Sequence, residues 1–134
     1  MIAIDTSAVV AILWQELDWE RLRGKLAASS GVVMSMGSIL ELQLVLAGAR
    51  ALSNWDHVEA LFGVYRITAR PFDEAQLRIA REAALRFGKG RHRAALNFGD
   101  CFAYALARSR GEPLLFKGND FGHTDITPAL RTST

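Results

Sequence analysis

A chain of 134 residues, half of them hydrophobic and 22% charged, is long enough for one sizeable core, too short for two, and too apolar to be disordered. A formal net charge of +2 with a sequence pI near 9.0 permits a polyanionic partner without demanding one. The single cysteine, Cys101, excludes an intramolecular disulfide and suits a reducing cytosol. Asp5 and Glu16 interrupt any basic-then-apolar leader, and no apolar run approaches the length of a membrane span, so a cytoplasmic protein is expected.

Met1 to Ile4 is a short apolar run that stops at Asp5-Thr6-Ser7, the pattern of a buried strand entering a helix, with Asp5 or Thr6 able to cap. A first helix is expected from Ala8 to Trp14. A second follows from Leu17 to Ala28, where Trp19, Leu22 and Leu26 recur at helical spacing. Gly31 to Ser35 reads as a strand. Ser38 to Leu52 reads as a helix whose apolar residues cover more than one face, which predicts a central position, and Asn54 to Phe62 continues as a short helix. Tyr65 to Thr68 is a further strand, Pro71 punctuates, and Asp73 to Phe87 is helical with Ala75, Ile79, Ala83 and Leu85 on its apolar side. Gly88 to Arg93 is a glycine-rich basic loop. Asn97 to Arg110 is the last long helix, ended by Gly111 at the C-cap, and Leu114 to Phe116 is the final core strand before a polar turn. Residues 131–134 are expected to fray as a tail.

Strands alternating with helices, with no repeat or linker, predict one domain over residues 1–134: an α/β fold of three layers, helices flanking a central, mainly parallel sheet. Ligands of such sheets bind beyond the carboxyl ends of the strands, where Asp5 and Asp120 fall.

Asp5, Glu41, Asp100 and Asp120 each stand against apolar neighbours, where a carboxylate is costly unless it is paired or binds a metal. Ordinary explanations exist for three of them. Asp5 can cap the first helix, Asp100 lies three residues after Asn97 in a pattern resembling a capping box with Asp in place of Glu, and Asp120 belongs to the turn Gly118-Asn119-Asp120. Glu41 is harder to explain, because the residues three and four away are Gly37, Ser38, Leu44 and Val45. Around Asp100 the same positions hold Leu96, Asn97, Ala103 and Tyr104, again uncharged. A divalent metal would compensate such acids, and an all-carboxylate set favours Mg²⁺ or Mn²⁺ over zinc. Such a site polarises a phosphodiester and activates water.

The segments carrying these acids resemble the motifs of PIN-domain nucleases, particularly the VapC toxins of type II toxin–antitoxin pairs. Ile4-Asp5-Thr6-Ser7-Ala8-Val9 is similar to their opening motif and Ser35 to Glu41 to their second acidic segment. Lys89 to Cys101 resembles the third, and Leu114 to Phe121, followed by Thr124-Asp125-Ile126, the fourth. The resemblance implies a PIN-like domain with Mg²⁺- or Mn²⁺-dependent endoribonuclease activity, in which Asp5, Glu41 and Asp100 ligate metal. Asp120 is the fourth acid on this reading, with Asn119 and Asp125 as alternatives. A VapB-type antitoxin and a homodimer, or a higher toxin–antitoxin assembly, are implied as well.

Ser7 and Asn97 are candidates for orienting the metal-binding carboxylates from behind, although each is also an ordinary first-turn or capping residue. Lys89, Arg91, His92 and Arg93 are candidates for RNA contact if their loop borders the acidic pocket; a solvated loop is the alternative. Cys101 is expected to face the core, and Trp14, Trp19 and Trp55 to pack or meet a partner rather than stack on bases. A PIN-like nuclease acting on structured DNA would use the same metals, and a module that binds RNA or protein without cutting is the other class left open.

Overall fold

The computed structural model describes residues 1–48 and 55–131. The expected end of the third helix over 49–52, the start of the fourth at 54 and the tail over 132–134 lie outside the described residues. Among the described residues four strands form the sheet: β1 (Ile2–Ile4), β2 (Val32–Ser35), β3 (Ile67–Arg70) and β4 (Leu114–Leu115). Their order is β3-β2-β1-β4 and every pairing is parallel, with Ile2 opposite Val32, Ala3 opposite Leu114 and Ser35 opposite Arg70. All four carboxyl ends therefore meet one edge of the sheet.

Helices fill the intervals: α1 (Thr6–Leu13), α2 (Trp19–Ala28), α3 (Met36–Gly48), α4 (Trp55–Tyr65), α5 (Glu74–Phe87) and α6 (Phe98–Arg110), with a short 3₁₀ turn at Phe121–His123. Side chains alternate across a strand, so the sheet sorts its residues into two cores. Ile2, Ile4, Val32, Met34, Ile67 and Leu115 pack with Ala8, Val9, Leu22, Leu26, Leu42 and Val58 from α1 to α4. Ala3, Val33, Leu114 and Phe116 pack on the opposite face with Ala83 and Phe87 of α5 and Ala103, Tyr104, Leu106 and Ala107 of α6. Burial on both faces is why the strands read as unbroken apolar runs. The three-layer α/β/α architecture is the one expected.

Local differences have local causes. Tyr65 extends α4, and Arg66 turns the chain with a left-handed backbone (φ 56°), so β3 starts two residues later than the apolar pattern implies. In α5 the buried line is Gln76, Ala80, Ala83 and Phe87, the i, i+4, i+7 spacing of one helix face, whereas Ala75 and Leu85 are exposed. α3 packs on α1 and α6 yet leaves Met36, Leu40 and Leu44 exposed, so it is central along only part of its surface. Two of the tryptophans expected to pack do so: Trp14 and Trp55 lie partly buried against the first core. Trp19 instead carries the Arg23 guanidinium over its ring at 4.9 Å.

Candidate active site

At the carboxyl edge of the sheet, three separate chain segments bring Asp5, Glu41 and Asp100 to the wall of one cavity of about 340 Å³. Asp5 arrives first. β1 ends at Ile4, and Asp5, with an extended backbone (φ −91°, ψ 156°), N-caps α1 by accepting the Ser7 N–H on Oδ2 at 3.0 Å. The cap therefore engages one oxygen. The other, Oδ1, is buried with no hydrogen-bond partner among the described residues, a costly state for a carboxylate.

α3 starts directly after β2, which places Glu41 in its second turn over the same edge. α1 and α3 are tied together where they begin: the Thr6 hydroxyl donates to the Ser38 carbonyl at 2.9 Å. Asp100 enters from the first turn of α6. There the capping box is complete, with the Asp100 N–H donating to Asn97 Oδ1 and the Asn97 N–H donating to Asp100 Oδ2, both at 3.0 Å. Capping thus accounts for Asp5 and Asp100 without excluding them from chemistry, because each keeps a second oxygen.

Two glycines let α3 and α6 approach. A Cβ on Gly99 would fall on the Glu41 carboxylate, and one on Gly37 would fall on the Phe102 ring. Glu41 therefore rests on bare backbone at the start of α6, directly beside Asp100. The hydrophobic side of this junction is an edge-to-face series in which Phe102 meets Phe72 at 4.9 Å and Phe98 at 5.1 Å.

The crowding of carboxylates shows in their acidity. Burial, only partly offset by the Ser7 hydrogen bonds, pushes Asp5 from 3.8 up to about 6, and the charge of Glu41 adds to the rise. Burial likewise raises Asp100 from 3.8 to about 7, against the Asn97 backbone bond, with further upward pressure from Asp5, Asp120 and Glu41. Asp5 and Asp100 thus titrate in the field of neighbouring acids rather than as isolated carboxyls.

The chain as a whole is similar in sequence to known proteins. A PIN domain family model covers residues 2–126. The chain belongs to the PIN-domain family. Within it, Ribonuclease VapC30 of Mycobacterium tuberculosis is 47% identical over 129 residues, covering 92% of this chain and 94% of that protein. Ribonuclease VapC of Mycolicibacterium smegmatis is 46% identical, covering 92% and 95%. Among solved structures, that of Mycobacterium tuberculosis VapC20, a Sarcin-Ricin loop cleaving toxin, superposes with a TM-score of 0.71 at 14% identity over 95% of this chain and 97% of that one. At that identity the likeness speaks for the PIN fold, and the sequence relatives speak for the VapC ribonucleases as its branch.

In this PIN domain the remaining candidates separate. Ser7 sits behind Asp5. Its N–H donates to Asp5, its hydroxyl oxygen accepts the Lys117 N–H at 3.0 Å, and both its groups hold the Asp5 carboxyl below where burial alone would put it. Asn97 acts through its cap on Asp100. Asp120, exposed at the start of the 3₁₀ turn with no capping bond, is close enough for its charge to raise Asp100. Asn119 accepts the Gly122 N–H through its carbonyl in that turn and does not line the cavity.

Asp125 is engaged elsewhere. Its carboxylate accepts the Tyr104 hydroxyl at 2.6 Å and meets Arg86 at 3.4 Å and Arg108 at 3.9 Å, between α5 and α6. The basic loop does not line the cavity. His92 is used internally, with Nδ1 accepting the Ala94 N–H at 3.0 Å and its ring edge-on to Phe87, while Lys89, Arg91 and Arg93 are exposed. Cys101 is half-buried, with Sγ 3.4 Å from the Asn97 carbonyl, rather than in the core.

Three residues of the site escaped the sequence reading: Gly99, Glu16 and Lys117, the last two lining the cavity. Glu16 is delivered by the tight α1–α2 connection, where Gln15 (φ 52°) and Asp18 (φ 71°) both adopt left-handed backbones. Such strain in non-glycine residues gathers at functional sites.

Proposed function

We propose that this protein is the toxin of a type II toxin–antitoxin pair and cleaves RNA endonucleolytically by Mg²⁺- or Mn²⁺-assisted hydrolysis, with Asp5, Glu41 and Asp100 as metal ligands and Asp120 beside them. The observation that carries the reading is the meeting of three acids from three segments on one cavity, with a buried, unpartnered Asp5 Oδ1 among them.

The donor set suits a hard divalent ion. It consists of carboxylate oxygens alone, and capping of Asp5 and Asp100 consumes one oxygen of each. Among the described residues no three Asp, Glu, His or Cys side chains form a ready-made chelate, so the proposed ligand set rests on the cavity that Asp5, Glu41 and Asp100 share. When bound there, a divalent cation supplies Lewis acidity at the phosphodiester and lowers the pKa of water. The chain's own residues orient and insulate. The Ser7 and Asn97 backbone N–H groups fix the Asp5 and Asp100 carboxylates, Gly99 seats Glu41, and Val10 and Val45 supply the apolar part of the wall. Lys89, Arg91 and Arg93 are exposed outside the cavity and add positive surface that favours a polyanion at longer range.

A protein antitoxin is the partner, of VapB type, and the toxin is a homodimer. Support for an antitoxin partner comes from the superposition on the Toxin-antitoxin complex from Klebsiella pneumoniae, with a TM-score of 0.68 at 12% identity over 93% of both chains.

The decisive experiment is cleavage of total bacterial RNA. Activity should vanish in EDTA, return with Mg²⁺ or Mn²⁺, and be absent from Asp100→Asn. Cleavage unchanged in EDTA, or a preference for DNA, would overturn the reading. The two acids near the carboxyl terminus should separate cleanly. Asp120→Asn is expected to slow cleavage with little effect on urea unfolding. Asp125→Ala is expected to cost about 1–2 kcal/mol of stability through its lost Tyr104 bond and to leave cleavage unchanged.

A further inference from the structure

We propose that Lys117 contacts the scissile phosphate and is the residue of this chain that admits a polyanion into an acidic cavity; the inference rests on the ribonuclease reading above. The cavity wall carries Asp5, Glu16, Glu41 and Asp100, and against these four carboxyl groups a single cationic residue, Lys117. A phosphodiester entering such a space meets repulsion that a divalent ion offsets only in part, and a cation inside the cavity opposes it at the closest range. The exposed arginines and lysine of the 88–93 loop lie outside the cavity, where they act on approach rather than on the bound phosphate.

Lys117 is placed for this contact. It follows β4 at the carboxyl edge of the sheet, beside β1 and Asp5. Its backbone is fixed by the 3.0 Å bond from its N–H to the Ser7 hydroxyl, and Gly118 (φ 105°) turns the chain away immediately after it. The Cα is thus anchored to the residue that holds Asp5, while the flexible side chain keeps its reach. Among the described residues Lys117 forms no ion pair within 4.0 Å, although carboxylates share its cavity. Its charge remains available. An ammonium is the suitable group here, a compact charge with rotatable donors that follows a phosphate oxygen as the substrate moves.

The test compares Lys117→Met and Lys117→Arg with the wild-type chain by three measurements. Single-turnover cleavage of total bacterial RNA in Mn²⁺ should fall about 100-fold in Lys117→Met, the scale of losing one donor to a developing oxyanion, and recover in part in Lys117→Arg. Mn²⁺ binding by calorimetry should be retained or tightened in Lys117→Met. Binding of a fluorescein-labelled single-stranded RNA in Ca²⁺ should show a salt slope lower by about one.

Cleavage at the wild-type rate in Lys117→Met would overturn the proposal, and together with tighter Mn²⁺ binding it would make Lys117 a counter-ion only. Loss of Mn²⁺ binding in that variant would overturn it in favour of a purely structural role. Failure of the wild-type protein to cut RNA would sink the ribonuclease reading instead, and the salt slope would still decide the role of Lys117.

Discussion

Asp5→Asn is expected to abolish RNA cleavage and, in EDTA at pH 8, to make the protein more stable than the wild type. Both effects come from one side chain. Asp5 is only 3% exposed, and its Oδ1 has no hydrogen-bond partner among the described residues, so its ionised form is held at a cost in the absence of a cation. That cost appears as a pKa raised from 3.8 to about 6. Keeping that carboxylate ionised in the fold costs on the order of 3 kcal/mol. Asparagine preserves the cap, since Asn and Asp serve equally at that position, and it removes the charge.

The sign of the pH dependence follows from proton counting. Between 3.8 and about 6 the folded protein binds more protons at Asp5 than the unfolded chain does, so stability falls as pH rises through that interval. Below 3.8 the carboxyl is protonated in both states and the advantage of Asp5→Asn should disappear; above about 6 it should be complete and constant. Asp100, raised to about 7, extends the fall in wild-type stability towards neutrality. Urea unfolding at pH 3.5, 5 and 8 measures the difference directly. Saturating Mn²⁺ should narrow or reverse it, because a ligand that binds only the folded state stabilises the wild type. An Asp5→Asn protein no more stable than wild type at pH 8 in EDTA would show that Asp5 is not strained. Full cleavage by it would remove Asp5 from the site.

Most of the path to this site was legible in the residues. The break from Met1–Ile4 into Asp5-Thr6-Ser7 marks a strand entering a capped helix, because an apolar run with no polar relief must be buried. Glu41 and Asp100 stood out through the absence of local counter-charges. Convergence was legible only from the order of the motifs, since no local rule brings residues 5, 41 and 100 together. Glu16 and Lys117 were hidden for a different reason. Glu16 reaches the cavity through the left-handed backbones of Gln15 and Asp18, residues whose type does not announce that conformation. Lys117 depends on a hydrogen bond to Ser7, 110 positions away. Asp120 and Asp125 occupy one polar turn region and look alike in sequence; only Tyr104, Arg86 and Arg108 distinguish them. His92 carries the composition of a basic loop, yet its ring nitrogen accepts a backbone N–H within that loop.

Gly99→Ala is expected to reduce cleavage about 100-fold while leaving the fold intact. Gly99 is buried in the first turn of α6, and a Cβ there would collide with the Glu41 carboxyl carbon and Oε2, with Oε1 2.9 Å away. What yields decides the outcome. The obstructed atoms are the far end of a flexible glutamate rather than backbone, so the carboxylate swings away at little cost. Replacing glycine by alanine gains about 0.5–1 kcal/mol inside a helix and less at this second residue of α6. Thermal unfolding should therefore be unchanged or slightly raised. Mn²⁺ affinity should weaken by about ten- to 100-fold, as for loss of a group that orients a ligand. Gly24→Ala is the matched control, because nothing lies within 4 Å of its Cβ position in α2, and it should show a similar stability change with full activity. Wild-type Mn²⁺ affinity and cleavage in Gly99→Ala would mean that Glu41 can act from a displaced position. A large loss of stability would mean that α6, not Glu41, gives way. The expected separation of function from stability would establish that a missing side chain, at a position flanked by Phe98 and Asp100, seats the middle carboxylate of the site.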